Sequence, residues 1–175
     1  INNMGELLFA QGRVSEAERY SREALEKMRR FLGEEHPHTL LAILNMGGKM
    51  LVANRMEDAE ALLLEALEKL RRVSGDAHPL TLTALNNLGF LMQEQGKLRE
   101  AEVFYGEALA TKRRVFGEGN RETLVSIINM GSLLQAEGRL RAATQLLAPA
   151  EETARKVFAD ADTRRIGTLL MALGK

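Results

Sequence analysis

Apolar residues recur along this chain in two alternating patterns, and the alternation itself repeats every 42 residues, from Ile1, Ile43, Leu85 and Ile127, without a gap. In the second copy, Leu40, Ile43, Met46, Gly47 and Met50 fall at three- and four-residue steps. That spacing predicts a helix over residues 38–52, helix A, with one apolar face. Ala59, Leu62, Leu63, Ala66 and Leu70 mark the buried face of a second helix, helix B, over residues 56–74. Asn54 stands between them, where the other copies have Gly12, Gly96 and Gly138. Gly and Asn share a tolerance of positive φ, so a left-handed helix stop is expected there. Gly33, Gly75 and Gly117 close helix B in their copies. A fixed period of tens of residues predicts a solenoid. The expected fold is all-α, a right-handed α-solenoid of antiparallel helix pairs. Its repeats are 1–42, 43–84, 85–126 and 127–168, within one domain over residues 1–175. A lone terminal helix over residues 163–173 is expected to cap the apolar face of the fourth repeat.

Polar residues sharpen this outline. The position before helix A reads His36, His78, Asn120 and Asp162. Asn and Asp are strong N-caps, and Pro37 and Pro79 follow where a helix tolerates Pro best. Glu16, Asp58 and Glu100 open helix B, and Arg29-Arg30, Arg71-Arg72, Arg113-Arg114 and Arg155-Lys156 close it. That polarity complements the helix dipole. Small residues recur at fixed places: Ala17, Ala59, Ala101 and Ala143; Ala24, Ala66, Ala108 and Ala150; Gly5, Gly47, Gly89 and Gly131. They mark close helix approach. Pro149 falls inside the fourth helix B and predicts a break over residues 145–149.

Composition excludes several classes of function. The 24 basic and 24 acidic residues cancel, leaving no electrostatic case for nucleic acid or an anionic membrane. No apolar run approaches the ~20 residues of a membrane span. There is no Cys, which rules out disulfides and thiolate metal sites and fits a reducing, cytoplasmic compartment. His36, His38 and His78 have no acid or Cys to complete a metal site and read as caps or solvated side chains. No nucleophile–base set, phosphate loop or carboxylate pair stands out, so neither an enzyme nor a cofactor is expected. Ile1 is no initiator Met and falls inside a helix, so a fragment of a longer protein is expected.

The L-G pair of helix A, the Gly turn and the two Ala positions of helix B resemble the tetratricopeptide repeat. The 42-residue period, GEEHPHT (residues 33–39), GDAHPLT (residues 75–81) and NNLG (residues 86–89) resemble its kinesin light chain type. The resemblance covers essentially the whole chain and implies a protein–protein interaction scaffold whose helices A line a concave groove. One Asn recurs in helix A of every copy: Asn3, Asn45, Asn87 and Asn129. A side-chain amide both donates and accepts, so it can grip a peptide backbone whatever the ligand sequence. By resemblance this ladder is the groove Asn that holds a bound peptide. The competing reading is that each Asn bonds a neighbouring turn and stitches the repeats together.

Positions on the same face would set specificity, among them Leu44, Asn86, Gly48, Phe90, Thr83 and Gln93, with Phe90 as an anchor. Lys49 alone puts a cation in mid-helix A, and its equivalents Leu7, Leu91 and Leu133 argue for a half-buried stem. The expected partner is a protein or peptide. The alternative is an assembly or regulatory arm of a larger signalling protein, with a kinase or ATPase domain, that packs on its own domain. Apolar end faces would also let copies stack end to end.

Overall fold

The structure, a computed structural model, describes residues 11–158. Asn3, the first helix A and the expected terminal helix over residues 163–173 lie outside the described residues. Among the described residues the elements are helices: α1 (Val14–Leu32), α2 (Pro37–Val52), α3 (Met56–Ser74), α4 (Pro79–Glu94), α5 (Leu98–Phe116), α6 (Arg121–Ala136), α7 (Leu140–Leu147), a 3-10 turn (Ala148–Ala150) and α8 (Glu151–Phe158). The chain divides into two compact units, Ile1–Leu91 and Met92–Lys175, with the boundary inside α4.

In the first unit α2 and α3 form the helix pair read from the second copy. Leu40, Ile43, Met50, Ala59, Leu63, Ala66 and Leu70 are all buried. Each fully buried Leu, Ile or Met contributes about 1.5–3 kcal/mol of apolar burial. Close approach needs Gly47: a Cβ there would lie 2.8 Å from Leu63 Cγ and Cδ2. Asn54 has φ 58°, the left-handed stop expected of it. Its helix end is closed by the Arg55 N–H donating to Met50 O at 2.9 Å. Histidine serves as the cap of helix A. The His38 N–H donates to His36 Nδ1, and the Leu80 N–H to His78 Nδ1, each at 3.2 Å.

Ion pairs tie successive repeats in this unit. Arg29 reaches Glu65 at 2.6 Å, and Lys69 reaches Glu34 at 2.6 Å. Arg55, just before α3, meets Glu18 of α1 at 2.5 Å. Arg72 pairs with Glu35.

In the second unit α5, α6 and the broken α7–α8 repeat the scheme. Asn120 Oδ1 accepts from the Glu122 N–H at 2.8 Å and caps α6. A Cβ on Gly131 would lie 2.6 Å from Leu147 Cδ2. Arg139 meets Glu102 at 2.8 Å, repeating the Arg55–Glu18 pair. Pro149 breaks helix B as expected, because it lacks an N–H and its ring crowds the carbonyl four residues earlier. The chain passes through the 3-10 turn and resumes at Glu151. Ala143, Leu147, Ala150, Ala154 and Phe158 all stay buried, so the apolar stripe runs across the break.

One residue departs from the pattern. Lys112 is only 3% exposed, at the position that Leu70 fills in the first unit. Its Nζ donates to Glu122 O at 3.3 Å.

Candidate functional site

Leu44, Asn45, Gly48, Lys49 and Val52 of α2 face Thr83 and Asn87 of α4 across a shallow depression of about 330 Å³ in the first unit. Asn45, Gly48, Lys49 and Val52 follow the helical steps i, i+3, i+4 and i+7, with Leu44 at their inner edge, and the α4 pair is i, i+4, so each set lies on one face. Asn45 is exposed and Asn87 half-buried. Among the described residues, neither side-chain amide has a hydrogen-bond partner, and the same is true of Asn129 in the second unit. Asn86, one residue away, behaves differently: its Nδ2 donates to Leu82 O of its own helix at 2.9 Å.

The glycine at 48 keeps the floor low. A Cβ there would come within 3.8 Å of Asn87 Nδ2, so a side chain would begin to cover that amide. Lys49 is half-buried, as its Leu equivalents suggested, and its Nζ donates to Ser21 Oγ of α1 at 3.2 Å. Thr83 Oγ1 donates to Pro79 O at 2.9 Å. Among the described residues no carboxylate lines the depression, whose polar groups are two amides, the Thr83 hydroxyl and the Lys49 ammonium beside apolar Leu44 and Val52.

The structure thus brings Asn45, Asn87 and Leu44 together, although Leu44 is only 2% exposed and supplies floor rather than contact surface. Phe90 is 44% exposed on α4, beyond the lining residues. Gln93 and Asn129 are half-buried and belong to the second unit. Asn3 is outside the described residues. Val52, 74% exposed, is a wall that sequence reasoning missed, although its place seven residues after Asn45 was a usable signal.

Other chemistry is accounted for locally. The Arg ladder is interleaved with carboxylates: Arg71 with Asp76 at 3.3 Å, Arg113 with Glu118 at 2.8 Å and Arg155 with Glu151 at 2.9 Å. Among the described residues no group of three or more His, Cys, Asp or Glu could hold a metal ion. No described helix is long and apolar enough to cross a membrane.

Comparison with known families decides the identity of the repeats. A family model described as the MalT-like TPR region matches residues 4–172. The chain belongs to this family. Solved structures agree with that placement. BtubC (BKLC) from P. vanneervenii is similar with a TM-score of 0.80 and 23% identity, over 90% of this chain and 62% of that one. The chain therefore spans less than two thirds of that protein. A putative kinesin light chain from Podosopora anserina with nearly identical TPR-like repeats is similar with a TM-score of 0.82 and 18% identity, over 98% of this chain and 81% of that one. A point variant of that Podosopora anserina protein gives 0.83 and 17%, with the same coverage. Comparison with curated proteins found no match. The MalT-like TPR region shares the all-α solenoid fold of these kinesin light chain-like neighbours. Repeats of this kind are in general scaffolds for protein–protein interaction.

Proposed function

We propose that the depression formed by α2 and α4 holds an extended peptide segment of a protein partner, with Asn45 and Asn87 bonding its backbone. The observation that carries this reading is that both amides are accessible and lack intramolecular partners among the described residues. An amide pair presents donors and acceptors to a peptide unit and is indifferent to side chains. Specificity then falls to the apolar wall at Val52 and to Phe90, exposed three residues after Asn87. Affinity for an isolated peptide is expected in the micromolar range, about −8 kcal/mol.

The test is selection from a displayed random-peptide library, followed by titration of the enriched peptides against the chain and an Asn45→Ala, Asn87→Ala variant. Two lost hydrogen bonds at about 0.5–1.5 kcal/mol each weaken binding roughly 5- to 150-fold. Circular dichroism checks that the variant is folded. Unchanged affinity in a folded variant would overturn the assignment.

A further inference from the structure

In the first unit the Arg near the end of one helix B is matched by a Glu 36 residues later, on the next helix B. Arg29 Nη2 donates to Glu65 Oε1 and Oε2 at 2.6 and 2.8 Å. The Arg29 Nε side meets Glu34 at 3.4 Å, a second carboxylate just past the helix end. The second unit keeps half of this arrangement. Arg113 Nε meets Glu118 at 2.8 Å, as Arg29 meets Glu34. The same 36-residue step from Arg113, however, lands on Pro149. The carboxylate that would face the rest of the guanidinium has been replaced by a residue with no acceptor side chain.

The same proline breaks the helix, and a cavity of about 320 Å³ lies beside it. Arg113 with its paired Glu118, Gln145 and Pro149 line its sides, and Leu124, Ile127 and Leu146 give it an apolar face. At roughly 30 Å³ per water this holds the equivalent of about ten waters. A carboxylate is what fills this position inside the fold elsewhere in the chain. A guanidinium recognises carboxylate with directed N–H donors, more selectively than a point charge would.

We infer that the Arg113 cavity is a binding site for the acidic side chain of a partner protein. The partner's Glu takes the place that Glu65 holds in the first unit. Its methylenes lie against Leu146 over a floor of Leu124 and Ile127, and its carboxylate pairs with Arg113. The site shares no residue with the α2–α4 depression and stands or falls independently of it.

The experiment is a methyl NMR titration of the chain in carboxylate-free buffer with N-acetylglutamate methylamide. The neutral isostere N-acetylglutamine methylamide and acetate are run alongside. Saturable shifts of the Leu124, Ile127 and Leu146 methyls with the Glu probe alone are expected. They should be at least tenfold weaker in Arg113→Gln. They should be lost in Pro149→Glu, which supplies the missing carboxylate from within. Equal response to the Glu and Gln probes, absence of saturable shifts, or an unaltered response in folded Arg113→Gln would each overturn the site. Acetate binding as well as the Glu probe would reduce it to a general anion contact and also overturn the proposal.

Discussion

Gly47 and Gly48 are neighbours on α2, yet replacing each by Ala should move stability in opposite directions. A Cβ on Gly47 would sit 2.8 Å from Leu63 Cγ, whereas ordinary contact begins near 3.4 Å, so at least about 0.6 Å must be found. Leu63 is 0% exposed and has nowhere to swing. Overpacking of this kind costs about 1–3 kcal/mol. Gly48 is the control, because its Cβ would meet only Asn87 Nδ2, at 3.8 Å. Both variants gain the ~1 kcal/mol of helix propensity that separates Ala from Gly. Gly48→Ala should therefore be stabilised by up to about 1 kcal/mol, and Gly47→Ala destabilised by about 0–2 kcal/mol. Propensity cancels in the comparison, leaving a difference of about 1–3 kcal/mol. At about 2–4 °C per kcal/mol for a chain of this length, the melting temperatures should differ by about 2–12 °C. Thermal melts followed by far-ultraviolet circular dichroism, with urea titrations to check the order, measure it. Coincident melting of the two variants would refute the packing argument.

Two further predictions concern charge. Lys112→Leu should raise the urea midpoint, because the Lys112 cation is desolvated while its Glu122 partner stays exposed to water, and Leu70 already fits the equivalent position; a lowered midpoint would show that the Lys112 contacts outweigh its desolvation. Hydrogen bonds from Arg22 and Arg55 hold the Glu18 carboxyl below the usual range. The stability this contributes is full above the unfolded value near ~4.3 and is lost as pH falls through the lower folded value. Glu18→Gln should flatten that part of the acid limb in urea midpoints measured from about pH 7 downward.

Periodicity made much of this molecule legible. Backbone devices are local, so Asn54 as a left-handed stop and Pro149 as a break followed from single residues. Small-residue positions were legible for the same reason, since Gly47 and Gly131 sit where a Cβ has no room. The pairs that join repeats were not. Glu18 with Arg55 depends on the rotation between successive repeats, which a 3.6-residue period does not encode. The Asn ladder shows the same limit within one helix. Asn86 and Asn87 are adjacent and chemically identical, but only Asn86 bonds back to its own helix. Lys112 lay hidden because a cation near a helix end reads as a favourable dipole contact, while its side chain is turned inward.

The pairing of Glu18 with Arg55, and of Glu102 with Arg139, has a bearing on descent. Both span 37 residues, while the Gly47–Leu63 contact is sealed inside one repeat. A tandem duplication of 42 residues therefore carries its own joints with it, and loss of a whole repeat lets the flanking partners meet again. Insertions of any other length would set carboxylates and guanidiniums out of step. A chain of this design would keep its cores and joints on gaining or losing a whole repeat, so the number of surfaces it presents is separable from the packing that holds each one.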